Sequence, residues 1–283
     1  MTIRQIIPTT VTLLAMLAGF LSILVAVEAI RISSGTEIIE HTYFNFRNAA
    51  LLIMLSMILD GLDGNLARWL KGESEFGAEL DTYVDMTAFG IAPAVLIFAV
   101  ALQQKDPMWR LVLPAAVCVS GVVRLARFKI NDPERGQGGY AGLPITVNAG
   151  WVAMFVFISQ SPPVRGGFSL DQGWVAALFL MGIVTFILLQ VSNVRYPKPT
   201  KNVLLYSVCV VLVAALLVLS QSKDLTQWAV RLATVMIALG AGYILIGPLF
   251  VKGVQAHKAW KEMRNDRNGT DKPDTPNGSQ NGA

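Results

Sequence analysis

The sequence predicts an all-α, polytopic membrane helical bundle of about eight transmembrane helices, with both termini cytoplasmic. Three observations predict it. Hydrophobic residues fill 53% of the 283 positions and charged residues only 15%, against roughly 25% charged in an ordinary soluble domain. Apolar runs of about 20 residues recur along the chain, each able to cross a hydrocarbon core about 30 Å thick. The basic residues gather in alternate gaps between those runs. Such a composition excludes a disordered chain and argues against a soluble enzyme, and continuous rather than alternating apolar runs exclude a transmembrane barrel.

The segments lie at about 6–30, 48–70, 79–102, 109–128, 141–160, 172–192, 202–220 and 228–251. The first, Ile6 to Ile30, is too long for a signal-peptide core and is read as a retained helix, although Val27-Glu28-Ala29 mimics a cleavage site. The second ends in Asp60 and Asp63, and the third begins with Asp81 and Asp85. The short connection from Lys71 to Gly77 makes these two helices antiparallel neighbours. The fourth carries Arg124 and Arg127 near its end, and Asn131-Asp132-Pro133 closes it. Ser161-Pro162-Pro163 separates the fifth from the sixth, and Tyr196-Pro197-Lys198-Pro199 the sixth from the seventh. The two cysteines, Cys118 and Cys209, sit inside the fourth and seventh runs, so no disulfide framework is expected. Trp109, Trp151, Trp174 and Trp228 fall near helix ends, where they read as interfacial anchors. After the eighth run the tail is polar and rich in Asn, Gly, Asp and Pro. It is expected to lack a fold of its own, apart from a short basic helix over Ala256 to Arg267 that would suit anionic lipid.

Orientation follows from Lys and Arg. With the N-terminus inside, eight spans put 16 of the 23 basic residues inside and seven outside. An odd number of spans would put the basic tail outside. The expected location is therefore the inner (cytoplasmic) membrane, multi-pass.

The four aspartates carry the chemistry. An Asp at the centre of a membrane helix costs about 2.5–3.5 kcal/mol to insert, so four of them do not face lipid. Asp60 and Asp63 are three apart and share a helix face, as do Asp81 and Asp85, four apart. Both pairs lie at the same end of adjacent helices, so four carboxylates can converge there. They would repel one another unless divalent cations neutralise them. Carboxylate oxygens are hard ligands suited to Mg²⁺, Mn²⁺ or Ca²⁺. Gly61, Gly64, Ala67 and Gly77 let a bulky ligand approach the backbone, and Arg68 can hold phosphate oxygens in a bidentate fork. Acids for metal, small residues for access and an arginine for phosphate describe a phosphoanhydride site. Each residue also has a plain structural reading: a satisfied polar side chain for Asp60, a positive-inside anchor for Arg68, snorkelling arginines at 124 and 127.

Asp60-Gly61-Leu62-Asp63-Gly64-Asn65-Leu66-Ala67-Arg68 followed by Gly77-Ala78-Glu79-Leu80-Asp81-Thr82-Tyr83-Val84-Asp85 resembles the signature of the CDP-alcohol phosphotransferase family. That signature reads D-x-x-D-G-x-x-A-R, eight residues, then G-x-x-x-D-x-x-x-D, and every fixed position is matched. The flanking Lys71 to Asp81, Phe89 to Ala94, Arg124 to Phe128, Gly142 to Ile145 and Arg195 to Pro197 look like its bacterial phosphatidylserine synthase subgroup. Departures are Pro8-Thr9, where the subgroup commonly has Pro-Asn, Lys129 in place of Asn, and Thr146-Val147-Asn148-Ala149 in place of a second Pro and paired alanines. The signature is untouched, so the departures bear on the acceptor alcohol.

The resemblance implies a six-helix family core over 1–192, two further transmembrane helices over 193–256 and a polar tail over 257–283. It implies transfer of the phosphatidyl group of CDP-diacylglycerol to L-serine with release of CMP, in a homodimer among membrane lipids and with no nucleic acid. By the same resemblance Asp60, Asp63 and Asp81 hold two divalent ions, with Asp85 nearby as metal ligand and general base. Gly64, Ala67, Arg68 and Gly77 would frame CDP-diacylglycerol, and Arg124 and Arg127 would bind a phosphate or the acceptor carboxylate. Other acceptors (choline, glycerol 3-phosphate, inositol phosphate) fit the same chemistry. An ion or metal transporter would use the aspartates as a pathway, and a scaffold would give no reason for their spacing.

Overall fold

The computed structural model describes residues 2–33, 39–103, 105–131, 140–164, 167–196, 203–222 and 224–270. The loop signals at 132–133 and 197–199, and the tail from 271, lie outside the described residues. Helices follow one another as α1 (Ile3–Ser33), α2 (Ile39–Leu70), α3 (Glu75–Ala101), α4 (Pro107–Asn131), α5 (Ile145–Gln160), α6 (Gly173–Val191), α7 (Val203–Leu219) and α8 (Thr226–Thr270). Six of these, α1 to α4, α6 and α8, are long and apolar enough to span a membrane, while α5 and α7 are shorter apolar helices.

The shortness of α5 has a physical reason. Thirteen of its 16 residues are buried, and a helix that is apolar all round belongs inside a bundle. Its neighbours take the lipid face instead. Leu13, Leu17 and Leu24 of α1 and Met181 and Leu188 of α6 are exposed, the pattern expected of side chains facing hydrocarbon rather than water.

Two elements run further than the hydropathy pattern. α2 begins at Ile39 rather than about 48, because His41, Tyr43, Asn45 and Arg47 interrupt hydropathy without breaking helix. Arg47 there lies over the Phe44 ring at 5.4 Å. α8 continues as helix to Thr270, through a stretch rich in Ala, Lys, Glu, Met and Arg, which are strong helix formers.

α1 and α2 pack along most of their length. Buried hydroxyls tie them: Ser22 donates to the Ala49 carbonyl and Ser56 to the Ala15 carbonyl, each at 2.8 Å. Interhelical bonds of this kind average about 0.6 kcal/mol in a membrane bundle. Small residues set the spacing. A Cβ on Gly19 would fall 2.4 Å from the Ala88 Cβ, so α1 touches α3 backbone to backbone. Within α3 the residues Asp85–Ile91 form a π-helical stretch, and it is this widened segment that Gly19 meets.

The other close approach joins the chain's start to the turn after α2. Pro8 lies inside α1 and has no N–H, so the Arg4 carbonyl four residues back loses its helical partner. Gly72 packs against that carbonyl, where an added Cβ would sit 2.0 Å from the oxygen. The turn itself is a left-handed helix end: Lys71 has φ 52 and the Gly72 N–H donates to the Ala67 carbonyl at 2.9 Å, as in a Schellman cap. Ser74 then caps α3, accepting from the Gly77 N–H at 3.0 Å.

A two-residue antiparallel pair, Tyr140–Ala141 with Arg195–Tyr196, links the segment before α5 to the segment after α6. Gly142 follows with φ +78, and a Cβ there would meet the Gln190 carbonyl at 2.4 Å. The Gly142 N–H donates to Val194 and the Leu143 N–H to Leu189. The Gly-Leu-Pro sequence therefore has a structural use: it threads between α6 and the strand pair.

Replacing Gly72 by Ala is expected to destabilise the protein by about 1–3 kcal/mol, the range for overpacking a tight contact. Gly240→Ala, a position with nothing within 4 Å, serves as the control. Thermal unfolding in detergent checks the pair; equal melting of Gly72→Ala and the wild type would show that the α1 contact carries no weight.

Candidate active site

The α2–α3 hairpin brings the acids together as the spacing predicts. One carboxylate oxygen each from Asp60, Asp63 and Asp81 lie within 4.8 Å of one another. Asp63 is buried at 5% exposure, Asp60 half-buried and Asp81 exposed, so the cluster grades from the bundle interior outward. Asp60 Oδ1 and Asp63 Oδ2 are buried and have no hydrogen-bond partner among the described residues. Thr12 of α1 lies within hydrogen-bonding reach of Asp63. Three convergent carboxylates, two of which keep a buried oxygen without a partner among the described residues, fit a hard divalent cation. A histidine or cysteine ligand set is not present among them.

Asp85 stands outside that three-oxygen set. It opens the π-helical stretch one turn deeper along α3, with Asp81, Arg124 and Asp63 within electrostatic range. Sequence spacing placed all four carboxylates in one cluster. The structure gives a group of three and one neighbour a turn further along α3, still bonded through its N–H to the Asp81 carbonyl.

The small residues lie on the approach to the acids. Gly64 is open, with only Arg68 Nη1 at 3.9 Å from where a Cβ would be. Ala67 is half-buried, one turn before the Lys71 turn. Gly77 is held by the Ser74 cap. Arg68 is exposed, and its guanidinium is aimed by a short relay: Asn65 Nδ2 donates to the Gly61 carbonyl at 2.8 Å, and Arg68 Nη2 donates to Asn65 Oδ1 at 2.7 Å. Asn65 thus fixes an arginine whose conformation the signature alone leaves open.

The two arginines of α4 part company. Arg124 is buried at 6% exposure, lies over the Phe128 ring at 5.8 Å and faces Asp85. Arg127 turns the other way. Its Nη1 donates to the Val191 carbonyl and its Nη2 to Asn193 Oδ1, so it closes the C-terminal end of α6. Sequence reasoning put both on one helix face and had no signal for α6. Lys129, close by, pairs with Glu79 of α3 at 2.6 Å.

Comparison with known proteins gives a family and several relatives. The family model for CDP-alcohol phosphatidyltransferases matches residues 5–188. A CDP-diacylglycerol–serine O-phosphatidyltransferase of Helicobacter pylori is 33% identical over 155 residues, which cover 55% of this chain and 62% of the relative. The protein of that name from Mycobacterium tuberculosis is 34% identical over 199 residues, covering 69% of this chain and 62% of the relative. A third, from Bacillus subtilis, is 29% identical over 160 residues, covering 56% and 80%. The chain spans about 62% of the length of the first two relatives.

Arg127→Ala is expected to lower stability by about 1–3 kcal/mol, since it strands a carbonyl at a helix end and removes bonds to a charged group. Arg127→Lys should restore little, because one ammonium cannot span both acceptors. Thermal unfolding of the three proteins decides it; an Arg127→Ala protein that melts with the wild type would leave the residue free for another role.

Proposed function

The chain belongs to the CDP-alcohol phosphatidyltransferase family, and on that premise we propose that it transfers the phosphatidyl group of CDP-diacylglycerol to L-serine. The carrying observation is the convergence of Asp60, Asp63 and Asp81 oxygens within 4.8 Å, with Asp85 and Arg124 beside them. The names of relatives from a bacterial range and an archaeon support serine as the acceptor.

Asp60, Asp63 and Asp81 would hold the divalent metal, as two ions of Mg²⁺ or Mn²⁺, with Ca²⁺ also compatible with oxygen ligands. Such ions supply charge neutralisation of the pyrophosphate and of the departing CMP. The chain's own residues do the rest. Gly64, Ala67 and Gly77 leave room for the CDP group beside the backbone, and Arg68, steadied by Asn65, holds a phosphate oxygen. Asp85 takes the proton from the serine hydroxyl as that oxygen attacks the phosphorus bearing the diacylglycerol. A new P–O bond to serine forms, the P–O bond to CMP breaks, and the proton stays on the Asp85 carboxylate until it passes to solvent. Arg124 is placed for the serine carboxylate. Position and charge do most of the work, because attack in line needs alignment rather than covalent help from the protein.

The setting suits the substrate. Two acyl chains must stay in lipid while the pyrophosphate reaches polar groups, and the acids grade from buried to exposed at one end of an apolar bundle. The basic bias supports a site that faces the cytoplasm in the inner membrane, where CDP and serine are soluble. We also assign residues 1–192 to the family core and 193–256 to two added helices, and place the active form as a homodimer.

CMP release from CDP-diacylglycerol by purified protein tests this reading, with L-serine, choline, glycerol 3-phosphate and inositol phosphate compared as acceptors. The expected result is serine-dependent release that disappears on chelation and returns with Mg²⁺ or Mn²⁺. Asp85→Asn should lower kcat by about 10²–10⁴-fold, the usual contribution of a general base, with CDP-diacylglycerol still bound. Release with another alcohol alone would replace serine as the acceptor, and no release with any alcohol would turn the aspartates toward an ion pathway.

A further inference from the structure

A second polar group lies deeper in the bundle, apart from the four aspartates. Gln190 of α6 is 1% exposed, and Ser120 of α4 is 3% exposed. The Ser120 hydroxyl donates to Gln190 Oε1 at 2.7 Å. That bond fixes the amide, so its Nε2 points away from Ser120 with its two N–H donors. Nε2 is buried and has no hydrogen-bond partner among the described residues.

Asn148 of α5 is 0% exposed, and neither its Nδ2 nor its Oδ1 has a partner among the described residues. Its height in the bundle follows from the next contact along. Trp151 meets Phe186 edge-on, with ring centroids 5.1 Å apart. Asn148 lies three residues before Trp151, and Gln190 four residues after Phe186. On antiparallel helices both steps move about one turn toward the aspartates. Asn148 and Gln190 therefore come to the same level on facing helices, with Ser120 completing the group from α4.

An apolar layer separates this group from the acids only in part. Ile145 fills the space over Gly90 and Gly121, where Cβ atoms would meet its Cδ1 at 3.7 and 2.7 Å. Arg124 is one turn beyond Ser120 on the same face of α4 and reaches toward Asp85. A polar route thus runs from Asp85 past Arg124 to Gln190.

An unpaired buried polar atom costs about 1–3 kcal/mol, and here two side chains carry three of them beside Trp151, whose Nε1 is also buried without a partner among the described residues. Their chemistry is specific. Gln190 Nε2 and Asn148 Nδ2 are donors, Asn148 Oδ1 is an acceptor, and the group has no net charge. Donors and an acceptor together suit a zwitterion, with a carboxylate to receive and an ammonium to give. A phosphorylated alcohol would call for added cations, and choline has no N–H to donate.

Building on the serine reading above, we infer that Gln190, held in place by Ser120, and Asn148 bind the amino-acid end of the acceptor next to Arg124. The acceptor hydroxyl then points back toward Asp85. The two amides are binding and specificity residues, and the proton transfer remains with Asp85.

The test is steady-state kinetics on Gln190→Met and Asn148→Ala in the full-length protein, varying L-serine and CDP-diacylglycerol separately. Each variant is expected to raise KM for L-serine by about tenfold, the loss of one bond to a charged group, and to leave KM for CDP-diacylglycerol unchanged. Thermal unfolding should show both variants folded, with Gln190→Met giving up the Ser120 bond and Asn148→Ala opening a small cavity. An unchanged KM for serine in folded variants of a serine-active enzyme would overturn the assignment while leaving the proposed reaction intact. Equal rises in both KM values, or lowered melting alone, would overturn it as well, by making the amides structural. A wild-type protein that ignores serine would remove the reaction and the assignment together.

Discussion

Carboxylates crowded at one end of an apolar bundle are the constraint on which the rest of this structure depends. Three oxygens within 4.8 Å repel one another and lose hydration, and the protein supplies few compensating contacts. Asp60 and Asp63 keep buried oxygens unpaired. The scaffold must force such an arrangement, and a divalent cation would relieve it. The scaffold does force it. The left-handed turn at Lys71, the Gly72 bond to Ala67 and the Ser74 cap lock the α2–α3 hairpin, so its acids cannot relax apart.

The hairpin, locked at its turn, is held in turn by α1. Gly72 rests on the carbonyl that Pro8 leaves unbonded, and Gly19 rests on Ala88 just beyond Asp85. In a membrane, where lipid is as apolar as leucine, helices gain by close packing and by interhelical hydrogen bonds. Both devices appear on α1, with the Ser56 bond to Ala15 between the two glycine contacts and the Ser22 bond to Ala49 just beyond them. The helix that carries none of the acids thereby fixes the height and angle of both that do.

Much of this was legible in the sequence, and the rest was not for identifiable reasons. Composition and apolar runs give the bundle, and the aspartate spacing gives the cluster, because helical periodicity maps directly to a shared face. Periodicity does not say which carboxylate oxygens converge: Asp85 keeps its i, i+4 bond to Asp81 yet stands outside the three-oxygen set. It also fails between helices. Arg124 and Arg127 share a face of α4, yet only the packing of α6 against α4 shows that Arg127 serves a helix end. Hydropathy could not tell that α5 is enclosed and α2 prolonged, since it weighs residues one at a time and not by what they touch. The Gly72 and Gly142 approaches, and the strand pair beside the latter, are likewise tertiary facts written in single glycines.

One face of α4 joins these observations into a single argument. Ser120, Arg124 and Arg127 descend that face a turn at a time, and each meets a different environment. Arg127 ties α4 to the end of α6, which sets the register between the two helices. That register places Arg124 opposite Asp85 on one side and Ser120 opposite Gln190 on the other. A slip of one turn would put a buried cation against apolar side chains and leave the aspartates without their nearest positive charge, an expensive error in low dielectric. The exposed end of the seam therefore determines the chemistry of its buried part. Arg127, which touches none of the acids, helps decide where the charge that faces them stands.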